Sequence, residues 1–339
     1  MYLCVLKIKV TEFKRMKKIP YIIITVFVFP LLGGAGFGYA QQDPQYSQYM
    51  FNQLAINPAY AGSKEALSAV IDLRKQWVAM PGAPKTGTIS LHAPLPFKSI
   101  GIGGHLINES MGPSKWTSAQ ADIAYRFRLG KGKLSLGISA GIVNYNISLT
   151  ESDYKDAGEV FPSQNLGPRT RFDAGTGFYY YNQSFYMGGS ITHINNPNLY
   201  SGTYAIPNGG IGATPVNSTL FFSLKPHSFL YFGKGFLINK NLVINPSIIF
   251  KNDNAHEAGT FDLNCNFLIK QKFWLGLSVR SGYGIVALFQ YCVSDNLKIG
   301  YSYDQGFNKV GIVGQGSHEI MLGYNFSIYK SKMLSPRYL

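Results

Sequence analysis

Residues 118–128 read Ser-Ala-Gln-Ala-Asp-Ile-Ala-Tyr-Arg-Phe-Arg, which sets Ala119, Ala121, Ile123, Tyr125 and Phe127 on one side of an extended chain and Gln120, Asp122, Arg126 and Arg128 on the other. Successive side chains of a strand point to opposite faces, so this period of two predicts a strand with one apolar and one polar surface. The pattern recurs on both sides of it. Leu134, Leu136, Ile138, Ala140 and Ile142 oppose Ser135, Gly137, Ser139 and Gly141. Phe261, Leu263, Cys265, Phe267 and Ile269 oppose Asp262, Asn264, Asn266 and Leu268. Phe273, Leu275, Leu277 and Val279 oppose Trp274, Gly276, Ser278 and Arg280, and Ile320, Leu322, Tyr324, Phe326 and Ile328 oppose Glu319, Gly323, Asn325 and Ser327. Two architectures satisfy such alternation: a soluble sandwich with its apolar faces packed centrally, or a membrane barrel with its apolar faces toward lipid.

Strand length and connection length favour the barrel. Strands are expected over 67–77, 86–94, 100–109, 116–128, 133–146, 169–180, 184–194, 226–238, 242–251, 260–270, 272–281, 284–293, 297–304 and 317–329. Their number is even, and several reach nine or more residues, the length that crosses a hydrocarbon layer at a tilt; soluble strands average about five or six. Even-numbered strands are followed by short turns, such as 129–133, 181–184 and 270–272, whereas odd-numbered ones are followed by longer connections, including 108–115, 147–168, 195–225, 252–259 and 305–316, with 282–283 alone in that group as tight as a hairpin. Short turns on one rim and long loops on the other are the asymmetry of outer-membrane barrels. An unpaired backbone group in lipid costs several kcal/mol, so the strands must close into a ring. The expected fold is all-β, an antiparallel transmembrane barrel of about fourteen strands with both chain ends on the periplasmic side. Aromatic residues near strand ends, among them Trp77, Trp116, Tyr179, Tyr180, Tyr181, Tyr301 and Tyr303, are expected at headgroup depth.

Composition agrees. Of 339 residues only 14% are charged, against roughly 25% in an ordinary soluble domain. The net charge of +14 permits an anionic membrane or nucleic acid by itself. Six of the basic residues lie ahead of the apolar run 21–37, which closes on Gly38-Tyr39-Ala40; a basic start, an apolar middle and small residues before the boundary read as a signal peptide cleaved after Ala40, with Met16 a plausible start. Residues 1–40 are therefore expected as extension and signal, 41–64 as a separate segment, 65–330 as the barrel and 331–339 as a periplasmic tail.

The chain carries no CxxC, HExxH, Walker loop, dinucleotide fingerprint, zinc-finger or RNA-binding signature, so no nucleic-acid partner, metal or cofactor is expected. Cys265 and Cys292 fall on non-adjacent strands with opposite parity, which disfavours a disulfide. His92, His105, His193, His227, His256 and His318 lack metal-ligand spacing. A nucleophile needs a positioned base, and no local pattern supplies one, so no residue is nominated as catalytic. Asp72 and Arg74 share a strand face and are expected to join Asp122 and Arg126 in a lumenal charge network.

Gln41 to Lys64, QQDPQYSQYMFNQLAINPAYAGSK, has no sustained alternation, and its two prolines interrupt strand or helix. Tyr46, Tyr49, Met50, Phe51, Leu54, Ile56 and Tyr60 are costly to leave in water, so the segment is expected to dock in or beneath the barrel, as a plug or a partner-binding element at the periplasmic side of the lumen. Asp43 to Gly62, DPQYSQYMFNQLAINPAYAG, closely resembles the amino-terminal signature of the PorP/SprF family, approximately DPQFSQYMFNPLxxNPAYAG. QWVAMPGAPKTGTISLHAPL at 76–95, GIGG with MGPSKWTSAQADIAYRF through 127, LKPHSFLYFG at 224–233 and the terminal SPRYL extend the resemblance over essentially the whole mature chain. Gln53 departs from a position where proline is common.

The resemblance marks Asp43, Pro44, Tyr46, Ser47, Gln48, Tyr49, Asn52, Asn57, Pro58, Ala59, Tyr60 and Gly62 as signature residues, with Trp77, Gly82, Pro84 and Thr86 in a second motif, all structural or partner-contacting rather than catalytic. It implies an outer-membrane protein of the Bacteroidota type IX secretion system that works with periplasmic and outer-membrane components. Its expected role is to export or retain secreted cargo bearing a carboxyl-terminal sorting domain, gliding adhesins among them. Loops 147–168 and 195–225 are the expected cargo contacts. A diffusion porin or hydrophobic-solute channel is the alternative, and a secreted soluble β-sandwich adhesin a third reading.

Overall fold

The computed structural model describes residues 43–64, 66–96, 99–148, 166–206, 216–252 and 259–326. The expected signal region, the tail 331–339 and most of the 147–168 loop lie outside the described residues. Strands β1 (Leu67–Lys75), β2 (Lys85–Pro94), β3 (Ile100–Met111), β4 (Ser114–Leu129), β5 (Gly132–Ile147), β6 (Leu166–Tyr181) and β7 (Phe185–Thr192) pair in sequence order, each antiparallel to the next. Next come a hairpin outside the ring, β8 (Asn198–Ile206) with β9 (Val216–Ser223), and then β10 (His227–Lys234) and β11 (Phe236–Asn239). Both of the latter lie along β12 (Leu242–Asn252), so they act as one wall strand broken at Gly235. β13 (Thr260–Ile269), β14 (Phe273–Arg280), β15 (Gly284–Cys292), β16 (Leu297–Gly306) and β17 (Ser317–Phe326) complete the sequence. β10 pairs with β7 across the hairpin, and β1 pairs with β17, which closes a fourteen-stranded antiparallel barrel.

Burial is inverted relative to a soluble sandwich. Leu73, Ile123, Tyr125, Ile138, Phe172, Leu277 and Ile320 are exposed on the outer surface, while Ser90, Asp122, Arg126, Ser135, Asp262, Gln290, Asp304 and Glu319 are buried inside. No helix among the described residues is long and apolar enough to cross a membrane; the strands cross it. β4, β5 and β6 run 16 residues each, longer than the 9–11 or so that a bilayer requires, and so project beyond the hydrocarbon layer.

Three expectations change. The connection expected over 108–115 is a tight turn at Gly112-Pro113: Met111 pairs with Ser114, and Gly112 adopts φ +53°. The 195–225 connection contains the β8–β9 hairpin, whose base inserts the buried Leu199 and Leu224 among Ile107, Trp116 and Val143. The 305–316 connection carries a short helix, α1 (Lys309–Gly314). Trp116, Tyr179 and Tyr181 also leave the expected headgroup belt. They face inward, because the indole N–H of Trp116 donates to Glu109 at 2.7 Å and the two tyrosines pack on a lumenal aromatic cluster. Cys265 and Cys292 are free thiols.

Candidate functional site: the occupied lumen

Residues 43–64 occupy the interior of the ring. Two 3-10 turns, Gln53–Ala55 and Pro58–Tyr60, compact the segment, the second beginning at Pro58, and Tyr46, Tyr49, Met50, Leu54, Ile56 and Tyr60 are all buried. Each such side chain contributes about 1.5–3 kcal/mol relative to exposure. The described part does not keep to one end. Asp43 meets His193 and His227, at the long-loop ends of β7 and β10, whereas Gly62 lies against Gly101, at the short-turn end of β3.

At the long-loop end, both imidazoles engage the Asp43 carboxylate, His193 Nε2 at 2.9 Å and His227 Nδ1 at 2.7 Å. The other nitrogen of His193 lies 2.9 Å from Asp173. Burial would raise the Asp43 carboxyl, but His227 and His193 outweigh it and hold the group well below the usual carboxylate range. Burial likewise opposes charge on His193, yet Asp43 and Asp173 lift it to about 10.

One turn further, the backbone N–H groups of Ser47 and Gln48 donate to the two oxygens of Glu319 at 2.9 and 2.8 Å. Arg74 donates to the same carboxylate at 2.8 Å and to Asp304 at 2.6 Å. The Ser47 hydroxyl donates to Asp304 at 2.7 Å and accepts from Arg74 at 2.9 Å. Arg280 bridges Asp304 and Asp262, and Lys251 donates to Asp262 at 2.7 Å. Arg74, Arg280 and Lys251 are thereby matched by Asp304, Glu319 and Asp262, the condition under which buried charge is tolerated. The tyrosines tie in beside this cluster: Tyr46 bonds Thr88 at 2.7 Å, and Tyr49 accepts from Asn264 at 2.6 Å.

Asn57 anchors the lower half. Its Oδ1 accepts from Ala59 N–H at 2.9 Å, capping the turn that Pro58 begins, and its Nδ2 donates to the Phe178 carbonyl at 2.9 Å and the Tyr231 hydroxyl at 3.1 Å. Ala59 is fully buried, and the wall accommodates it only because residue 137 is glycine: a Cβ there would fall on the backbone of Pro58 and Ala59. Tyr60 makes edge contacts with Tyr179 at 5.2 Å and His92 at 5.3 Å, within a cluster that includes Tyr181, Tyr186 and Tyr231. Gly62, at φ +71°, donates to His92 Nδ1 at 3.0 Å while Arg126 donates to its carbonyl. Pro44 is partly buried, and Asn52 is buried with its N–H bonded to the Tyr49 carbonyl.

The second motif shapes the β1–β2 connection at the long-loop rim. Trp77 adopts φ +43° and donates its N–H to the Ser317 hydroxyl; Gly82, at φ +71°, accepts from Gly112; Pro84 accepts from Gln76; and Thr86 donates to Glu109.

The expected charge network takes different partners. Arg74 pairs with Asp304 and Glu319 rather than reaching across to Asp122, and Asp122 pairs with His105 at 3.1 Å. Arg126 serves Gly62 and the Ile100 carbonyl. Sequence reasoning placed Asp262, Arg280 and Glu319 on polar strand faces but did not foresee that the amino-terminal segment would be their partner. His193 and His227, dismissed for lack of spacing, converge through the β7–β10 pairing. Their only sequence signal was a position at the ends of two expected strands.

The family model for type IX secretion system membrane protein PorP/SprF matches residues 38–324. No curated protein matches the chain. Among solved structures, the Ralstonia pickettii toluene transporter TbuX is similar at 10% identity and a TM-score of 0.51, covering 80% of this chain and 92% of its own. The Pseudomonas putida toluene transporter TodX aligns at 12% identity and a TM-score of 0.47, covering 87% and 96% respectively. At such identities the likeness to TbuX is one of fold alone.

Proposed function

Since this chain belongs to the PorP/SprF family of type IX secretion system membrane proteins, non-catalytic proteins of outer-membrane transport or receptor type, we propose that it binds specific secreted cargo and helps export it or retain it at the cell surface. The cargo carries a carboxyl-terminal sorting domain, with gliding adhesins as one class, and the partners are periplasmic and outer-membrane components of the secretion system. The short-turn rim faces the periplasm, and the long-loop rim with the β8–β9 hairpin faces outward.

The observation that supports this reading is the occupied lumen. A ring whose interior is filled by its own segment, hydrogen-bonded through Ser47, Gln48 and Asn57, works as a rigid docking frame better than as a route for diffusing solutes. Its signature residues act as the plug's anchors, which leaves the rims to partners.

The test is detergent purification from the native host, followed by identification of bound proteins. A secreted protein with a sorting domain should copurify, and deleting the gene should abolish that protein's surface display while its synthesis stays unchanged. Large stable conductance in planar bilayers together with normal protein export would establish the porin alternative instead.

A further inference from the structure

The chain returns to one point from three distant places. Asp43 opens the described lumenal segment, His193 follows β7, and His227 begins β10. β7 and β10 form the wall seam where the β8–β9 excursion interrupts sequential pairing. Each of the three residues offers one donor atom, and these atoms lie within 4.8 Å of one another. We propose that Asp43, His193 and His227 form a binding site for a divalent transition-metal ion of the Zn2+ class, which pins the start of the lumenal segment to the wall.

Two imidazoles and a carboxylate are a borderline donor set that suits Zn2+ rather than Mg2+ or Ca2+. Metal–ligand distances near 2.0–2.2 Å place neighbouring donors roughly 3.3 Å apart around a tetrahedral ion. The imidazole–carboxylate separations of 2.7 and 2.9 Å, made to the two different oxygens of Asp43, then need to open by about half an ångström, while the donors, spread over as much as 4.8 Å, draw in around one ion.

Two further features distinguish this cluster from a chance contact. His193 Nδ1 is held by Asp173 at 2.9 Å, which fixes the ring so that Nε2 faces the site; metal-ligating histidines are characteristically supported by a carboxylate in this way. A cavity bordered by Asp43, His105, Gln120, Asp173, Thr192 and His193 adjoins two of the three donors, Asp43 and His193, and leaves space beside them for a further ligand. The inference does not depend on the identity of the cargo.

The mature chain, purified in detergent, stripped with chelator and shown to be folded by heat-modifiable gel mobility, is titrated with Zn2+ by calorimetry, with bound metal counted by mass spectrometry. One equivalent is expected. His193→Asn and His227→Asn should each weaken binding more than tenfold, Asp173→Asn by about 10–100-fold, and His318→Asn, whose ring bonds Tyr301 elsewhere on the barrel, not at all. Co2+ should give visible absorption in the wild type that is lost in His227→Asn. If one histidine variant fails to fold, the other and Asp173→Asn carry the comparison. A folded wild-type chain that takes up no Zn2+, or equal affinity in the folded histidine and Asp173 variants, would overturn the assignment and leave a hydrogen-bonded latch only.

Discussion

Replacing Glu319 by alanine should loosen the lumenal segment while the ring stays closed. Glu319 is fully buried, and its carboxylate accepts from Gln48 N–H at 2.8 Å, Ser47 N–H at 2.9 Å and Arg74 at 2.8 Å. The substitution orphans two buried backbone donors, each at about 1–3 kcal/mol, and leaves Arg74 with Asp304 as its one carboxylate and the Ser47 hydroxyl beside it. Breaking a buried ion pair costs about 3–5 kcal/mol, and because the same carboxylate serves all three donors, that range approximates the total. At about 1.4 kcal/mol per decade, the population of the released segment rises by roughly two to three and a half orders of magnitude. Hydrogen exchange read by mass spectrometry on peptides from 43–62 measures this directly, with strand peptides as the internal reference. Glu319→Gln, which keeps one acceptor oxygen, should fall between wild type and Glu319→Ala. Equal protection of the segment in wild type and Glu319→Ala, in a chain that still shows heat-modifiable mobility, would refute the view that this carboxylate holds the plug.

Three further perturbations probe other levels of the structure. Gly137→Ala places a Cβ on the backbone of Ala59, so it should destabilise the docked segment by about 1–3 kcal/mol, whereas Gly323→Ala, which meets only Val70 at 4.0 Å, should leave exchange unchanged. Asn57→Ala removes the donor to the Phe178 carbonyl and the Tyr231 hydroxyl together with the cap on Ala59; the midpoint of thermal gel-shift should drop, with a cost of about 1–3 kcal/mol. Ile138→Lys, at a site 60% exposed on the outer wall of β5, should cost about 2–4 kcal/mol in denaturant titrations in lipid vesicles. The same change on a water-facing surface would be nearly neutral, so an unaffected midpoint would argue against lipid contact there.

Much of the wall was legible because strand alternation is a local property. Residues 116–128 and 133–146 announce β4 and β5 in their side-chain parity, and the structure extends them by only a residue or two at each end. Residues 226–238 alternate least cleanly, and there β10 and β11 break at Gly235. The β8–β9 hairpin went unseen because 198–206 and 216–223 sit inside a polar, glycine-rich connection without sustained alternation. Trp116, Tyr179 and Tyr181 were assigned to the lipid headgroups by their place near strand ends, but their parity turns them inward, where Glu109 and Tyr60 offer partners that water or lipid would otherwise have to replace.

The linear sequence determined the number of wall strands, the sense of the apolar face, the separate character of residues 41–64 and the family resemblance, since each rests on composition, period or an ordered motif. The tertiary structure decided which lumenal charges meet: Arg74 with Glu319 and Asp304, Arg280 with Asp262, and Asp43 with two histidines. Parity says only that a polar side chain points inward. Which partner it finds depends on strand register, on the closure of β1 against β17, and on a threaded segment that brings its own backbone donors to carboxylates far away in the chain.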